Sequence, residues 1–262
     1  MIKKAKDHLK SLYDSRTIIK SLIYKNLIGN YSNSVLGFLW HFVTPVILLI
    51  VYYVAFSQLR TAAIDNYWVY LSSGLFPFSF MINNIIGGSS CIVNNSRMIK
   101  KMYFPREIIV ISRVISTFIV MAIGYLIVII AVLLSGYGLS SAIWLLPVIL
   151  IITFIFTLGL VLLLSSITVY VRDFQILLSS ISIVFYFLTP MYYMVNSVTG
   201  LLKTITILNP LTYFVEAYHS IMYYQNLPDL PSFLIMTIIS ILSFIIGTVV
   251  FCKLKVGFTE RL

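Results

Sequence analysis

The chain has 262 residues, 60% of them hydrophobic and only 10% charged, with a formal net charge of +10 and a mean hydropathy of +1.01. A soluble domain carries about 25% charged residues, so an ordinary water-soluble globule is excluded. Positive charge in the loops of a membrane protein sets its topology, which displaces nucleic-acid binding as the reading of the basic balance.

Runs free of Asp, Glu, Lys and Arg cover residues 26–59, 66–96, 114–171, 174–202 and 230–252. A spanning helix needs about 20 apolar residues. Barrel strands alternate polar and apolar positions, and these runs do not. The expected fold class is an all-α integral membrane protein, one transmembrane domain over 1–262.

Residues 1–33 open the chain as a cytoplasmic interfacial helix. Leu9, Leu12, Ile19, Leu22, Ile23 and Leu27 recur at helical spacing, and Lys10, Arg16, Lys20 and Lys25 supply positive charge. Such a helix lies with its apolar face in the membrane and its basic residues near anionic head groups. The first apolar run starts too late for a cleavable signal peptide.

Six spans are predicted, at 35–57, 68–91, 109–134, 142–169, 174–192 and 231–252. SGYGLSSA (135–142) breaks the longest run as a tight turn. Pro45, Pro77, Pro147 and Pro190 predict kinks or ends, because each frees a carbonyl four residues back, for example that of His41 or Ser73, and in a bilayer that group needs another partner.

The connection 193–230 is too apolar for a solvated loop. Asn209 and Pro210 suit an N-cap and first helical position. A helix over 210–224 would be about 22 Å long, too short to span. Residues 193–224 are therefore read as re-entrant or interfacial external helices, with a preceding short segment near 201–208, capping an opening between the spans.

Residues 1–30 hold seven Lys and Arg; Arg97, Lys100, Lys101, Arg106, Arg113, Arg172, Lys253, Lys255 and Arg261 follow on the same side, with only Arg60 and Lys203 opposite. Both termini are therefore expected in the cytoplasm. Cys91 and Cys252 fall near cytoplasmic helix ends and are expected as buried thiols rather than a disulfide.

Catalytic signatures are sparse. The sequence has no HExxH, CxxC or GxSxG, and no carboxylate pair within a span. Glu216 and His219 lie one helical turn apart, as a structural hydrogen bond or an acid–base pair. The spans lack midplane charge, which argues against ion coupling. There is no GxxxxGK[ST] phosphate loop, so any ATP would be bound by a separate subunit. Aromatic residues are abundant, among them Tyr52, Tyr53 and Phe56, then Phe76, Phe78 and Phe80, then Phe185, Tyr186 and Phe187. Head-group belts and a polar-aromatic channel for sugars both account for them.

Six stretches stand in order: KNLIGNYSNSVLGFLWHFVTP (25–45), GLFPF (74–78), NSRMIKKMYFPREI (95–108), VRDF (171–174), Thr189–Pro190 followed by Tyr192, and LNPLTYFVEAYHS (208–220). Together they resemble the membrane subunit of type-2 ABC exporters, in the branch that exports polysaccharide, O-antigen or teichoic acid, over nearly the whole chain. Met98 stands in place of that family's leucine, and His219 in place of a frequent arginine.

The resemblance implies a multi-pass permease of the inner (cytoplasmic) membrane. It would pair with a second copy of itself and two copies of a cytoplasmic ATPase that holds ATP and Mg; this chain would bind no cofactor, no metal and no nucleic acid. The cargo implied is a glycan linked to undecaprenyl diphosphate. The resemblance assigns ATPase coupling to Lys100, Lys101, Met102, Tyr103, Phe104, Pro105, Arg106 and Glu107, with Met102, Tyr103 and Phe104 as a hydrophobic knob. It assigns head-group contact to Lys20, Lys25, Tyr31 and Trp40, channel lining to Tyr52, Phe56, Phe185 and Tyr186, and an external gate to Asn209, Pro210, Tyr213, Glu216 and His219. The other readings are a type-2 ABC permease for a small lipid or drug, and a membrane transferase acting on a lipid-linked sugar.

Overall fold

A computed structural model describes residues 13–29, 34–57, 64–134 and 136–262. The described residues form helices and connecting turns, without a strand. In chain order these are α1 (Arg16–Ile28), α2 (Trp40–Ser57), α3 (Tyr67–Ser89), α4 (Cys91–Asn94), α5 (Ser96–Lys101), α6 (Glu107–Leu134), α7 (Leu146–Tyr170), α8 (Phe174–Leu188), α9 (Gly200–Leu208), α10 (Pro210–Met222), α11 (Leu230–Leu254) and α12 (Phe258–Arg261).

Five stretches are long and apolar enough to cross a membrane: Gly37–Phe56, Tyr67–Gly88, Glu107–Leu134, Ser141–Tyr170 and Leu230–Arg261. The expected span over 174–192 is shorter. Helix α8 has 15 residues and stops at Leu188. Thr189 is extended (φ −94°, ψ 129°) because the Pro190 ring disfavours a helical conformation in the residue before it. At 1.5 Å per residue α8 is about 22 Å long, against a hydrocarbon core of about 30 Å.

The sequence explains the other ends. Glu107 sits in the first turn of α6, where the helix dipole favours a carboxylate. Asp229 accepts a hydrogen bond from Ser232 N at 3.2 Å and caps α11. Pro147 and Pro231 fall in the first turns of α7 and α11, where a missing N–H costs nothing. Gly136 and Gly138 adopt positive φ (73° and 81°) and make the turn between α6 and α7. Pro77 lies inside α3, and the Ser73 carbonyl it frees accepts a hydrogen bond from the Tyr125 hydroxyl at 3.4 Å.

Helix α3 is the axis of the bundle. It packs against α2, α6, α7, α8 and α10, and most of its residues are buried. Its small residues explain this, because membrane helices gain contact where backbones approach closely. A Cβ on Gly88 would lie 2.9 Å from Val161, and one on Gly74 would lie 2.5 Å from His219 Nε2. The most extensive helix pair is α7 with α11. There Gly159 and Gly247 meet so tightly that a Cβ on Gly247 would lie 2.0 Å from the Gly159 carbonyl oxygen. Helix α2 is the opposite case, with no buried residue along its apolar span.

Helix α1 packs along α6 through buried Leu22. The two thiols are free; Cys91 is buried as expected, but Cys252 is exposed, on a face of α11 left open among the described residues.

Candidate functional site

Three groups of residues stand out, one at the basic end of the bundle, one in a cavity above it, and one at the far end.

At the basic end, α5 stops at Lys101, and Met102 is extended (φ −129°, ψ 139°). Lys100 and Lys101 are exposed. Met102 (53%) and Tyr103 (107%) project from the surface, while Phe104 (9%) turns inward. The expected three-residue knob is thus corrected to two; Phe104 belongs to the core, since the chain must reverse at Pro105 to start α6. Lys100, Lys101, Met102, Tyr103, Phe104 and Arg106 border a cleft of about 360 Å³ with Thr259 of α12.

Arg106 and Glu107 face inward and fasten this element. The Arg106 guanidinium donates to the Lys255 carbonyl and lies 5.8 Å from the centre of the Phe258 ring. Glu107 is buried and forms an ion pair with Lys255. Phe258, fully buried, packs edge-on to Phe251 and Tyr170. The Tyr170 hydroxyl donates to the Leu254 carbonyl at 2.9 Å.

Lys25 donates to Asn95 Oδ1 at 3.3 Å and so joins α1 to the start of α5. Lys20 is exposed on α1. Tyr31 lies outside the described residues. Trp40 is half-buried at the start of α2, where it lines a cavity of about 570 Å³ together with His41, Asn83, Arg113 and Tyr186. His41 Nε2 lies 3.1 Å from the Leu27 carbonyl. Sequence reasoning counted Arg113 only as a topology charge; its position at the edge of an apolar run was the available signal.

The four aromatic channel candidates divide. Tyr52 and Phe56 stack on Tyr192, with ring centres 6.1 and 4.6 Å apart. Tyr186 stands edge-on to Phe78 at 4.9 Å and faces the cavity. Phe185 is half-buried against the core. Tyr192, which closes the outer stack, was missing from the candidates.

At the far end, Asn209 and Pro210 start α10 as expected. Asn209 accepts from Leu211 N at 3.0 Å and donates to Thr189 Oγ1 at 2.9 Å, tying α10 to the end of α8. Helix α10 ends at Met222, two residues short of the expected 224. Tyr213 donates to the Ile207 carbonyl at 3.0 Å, and Thr212 to the Thr206 carbonyl at 2.7 Å; both hold α9 against α10.

His219 is fully buried (0%). Its Nδ1 lies 3.3 Å from Glu216 Oε1, and its ring stacks on Tyr70 at 3.9 Å. The Tyr70 hydroxyl donates to the carbonyls of Tyr193 at 2.7 Å and Pro190 at 3.2 Å. Tyr70 is the far-end residue that sequence reasoning missed; nothing in the sequence distinguishes it among 18 tyrosines. Its Nε2 is sealed from solvent without a hydrogen-bond partner.

Glu216 also borders a cavity of about 400 Å³ of mixed lining, with Asn196, Tyr213, Ser220 and Asp229 beside Val195, Ile207 and Phe233. Burial first, then the Glu216 carboxylate and Tyr223, push the Tyr224 phenol up to about 12. Across the same end, the Tyr137 hydroxyl donates to the Tyr223 carbonyl at 2.7 Å, and Gln225 Nε2 donates to the Tyr137 carbonyl at 3.1 Å. Among the described residues no three His, Cys, Asp or Glu side chains come together as a metal site.

The family profile described as ABC-2 type transporter matches residues 17–223. The chain is similar to the O-antigen export system permease protein RfbA of Myxococcus xanthus, 25% identical over 256 residues that cover 97% of this chain and 98% of that protein. It is also similar to two O-antigen export system permease proteins RfbA of Klebsiella pneumoniae, each 28% identical over 264 residues, covering 99% of both chains.

Proposed function

The chain belongs to the ABC-2 type transporter family, and on that premise we propose that it is the permease subunit of an ATP-driven exporter. Its cargo is a lipid-linked polysaccharide of the O-antigen, capsule or teichoic-acid type, moved from the cytoplasmic to the outer face of the membrane. The relatives named as O-antigen export permeases match it along almost their whole lengths, which supports a glycan cargo over a small lipid or drug.

The observation that carries the proposal is the element at 100–107. Two lysines, Met102 and Tyr103 face outward, and Arg106 and Glu107 bind their base to the end of α11. An exposed aromatic beside basic residues on a fastened support is a surface for another protein. We assign it to a cytoplasmic ATPase, two copies of which serve a dimer of this chain, and which binds the ATP and Mg.

The basic end then faces the cytoplasm with both termini, in the inner membrane. The short α8 serves as a sixth crossing, and α9 and α10 re-enter the outer leaflet as a gate around Asn209, Tyr213 and Glu216. Tyr52, Phe56, Tyr192 and Tyr186 offer rings and hydroxyls for sugar stacking along the path. The carrier is undecaprenyl diphosphate, whose head group meets Lys20, Lys25 and Trp40.

The test is reconstitution of the chain with its partner ATPase in vesicles loaded with lipid-linked glycan. ATP-dependent movement of the glycan to the opposite leaflet is expected. Absence of a complex with the ATPase, or of movement when ATP is supplied, overturns the proposal. A transferase would rely on Glu216 and His219, and the burial of His219 beneath Tyr70 speaks against that chemistry.

A further inference from the structure

The cavity of about 400 Å³ at the far end is bordered by the 195–197 turn, α9, α10 and the start of α11. Its size falls in the range of small-ligand sites, about 300–1,000 Å³. Glu216 and Asp229 both line it. Each carboxylate uses one oxygen inside the chain: Glu216 Oε1 lies 3.3 Å from His219 Nδ1, and Asp229 Oδ2 accepts from Ser232 N at 3.2 Å. The second oxygen of each has no hydrogen-bond partner among the described residues.

The hydroxyls around them are already used as donors. Tyr213 donates to the Ile207 carbonyl at 3.0 Å, Ser220 to the Glu216 carbonyl at 2.8 Å, and Thr212 to the Thr206 carbonyl at 2.7 Å. They offer the cavity lone pairs. Asn196, which is exposed, adds an amide with two donors. Among the described residues no Lys or Arg lines the cavity. The N-terminus of α11, which would attract an anion, already holds the Asp229 carboxylate. The lining therefore accepts hydrogen bonds and repels negative charge. Phe233 adds a ring, a surface for the C–H face of a saccharide.

We propose that this cavity is a saccharide subsite that takes a neutral sugar unit and turns away anionic ones. A pyranose carries several hydroxyls, each a donor, which the remaining oxygens of Glu216 and Asp229 accept. The Asn196 amide donates to a sugar oxygen. A uronate or a phosphate-linked unit brings a like charge beside two carboxylates, which costs affinity. The subsite narrows the cargo to a glycan of neutral units. That step rests on the permease reading; binding of a saccharide does not.

The experiment uses the full chain in nanodiscs of phosphatidylcholine, with binding read by saturation-transfer NMR titration. Methyl glycosides of glucose, galactose, mannose and N-acetylglucosamine are the neutral probes. Glucuronate and galacturonate are the anionic ones, and glucosamine the cationic one. At least one neutral probe is expected to bind about tenfold more tightly than either uronate. Asn196→Ala is expected to weaken that probe by about fivefold, the loss of one hydrogen bond. Glu216→Gln and Asp229→Asn are each expected to cut the discrimination against uronates by about threefold, and together by about tenfold. Asparagine caps a helix as well as aspartate does, so Asp229→Asn decides the matter if Glu216→Gln yields no monodisperse protein.

Saturable binding by none of the neutral probes, or uronates binding as tightly as the neutral glycosides, overturns the subsite. So does discrimination that is unchanged in Asp229→Asn. Glucosamine binding about tenfold more tightly than every neutral probe marks a cation site and overturns the sugar assignment. The assay needs neither ATPase nor exported glycan. Neutral-sugar binding without export by the reconstituted complex removes the exporter reading alone, whereas export without charge-dependent sugar binding removes this inference alone.

Discussion

Glu107 and Lys255, 148 residues apart in sequence, form an ion pair that fastens the start of α6 to the end of α11. Beside it the Arg106 guanidinium holds the Lys255 carbonyl. The exposed Met102 and Tyr103 are thus carried on a support built from both halves of the chain. Lys255→Met is expected to cost about 1–3 kcal/mol of stability, the range for a charge-assisted bond lost from a largely buried acceptor, and to lower ATP-driven transport. Melting of the purified protein and a transport assay read the two effects. A charge-exchanged pair, Glu107→Lys with Lys255→Glu, should recover part of the stability; a double variant no better than the sum of the singles would show that the pair contributes nothing.

Tyr103 and Phe104 are adjacent and opposite in placement, which separates docking from folding. Tyr103→Ala is expected to leave stability within about 0.5 kcal/mol while weakening capture of the partner ATPase. Phe104→Ala is expected to destabilise by about 3 kcal/mol, the cost of emptying a buried aromatic site. Co-purification with the ATPase and thermal melting distinguish them. Normal capture by Tyr103→Ala would remove the exposed tyrosine from the interface.

Tyr70→Phe deletes two hydrogen bonds to the carbonyls of Pro190 and Tyr193 and keeps the ring that stacks on His219. The expected cost is about 1–3 kcal/mol, because the freed carbonyls lie in a buried setting. Hydrogen exchange should accelerate between residues 190 and 208 and stay unchanged at α5. Uniform acceleration would mean that Tyr70 supports the whole bundle, not the far-end segment.

Gly247→Val places side-chain atoms where the Gly159 carbonyl already sits. The helices α7 and α11 must separate, and overpacking of this kind costs about 1–3 kcal/mol or more. Size-exclusion profiles in detergent should broaden and the melting temperature fall. An unaltered profile would mean that the crossing is looser than 2.0 Å implies.

Much of this was legible from the chain. Apolar runs placed α6 and α11 to within two residues, the Gly136 and Gly138 turn separated α6 from α7, and Asn209–Pro210 marked the start of α10. Facing was not legible. Tyr103 and Phe104 are equally aromatic, and only the extended backbone at Met102 followed by the turn at Pro105 decides which is covered. Arg113 read as a charge at the margin of a run because its neighbour Gly87 belongs to another helix. Gly159 and Gly247 each sit among larger apolar residues, and nothing local says that they meet. Composition reports what enters the membrane; contacts between distant segments decide which side each residue shows.

The Gly159–Gly247 crossing has a mechanical consequence. With backbone against backbone at that point, no side chains lie between α7 and α11 to deform. Helix α11 has 25 residues and is about 37 Å long. Its lower end carries Lys255, and its upper end carries Asp229 and Ser232, which border the cavity shared with Glu216. A tilt of about 5° about one end of such a helix displaces the other by about 3 Å, comparable to the breadth of a hydroxyl group.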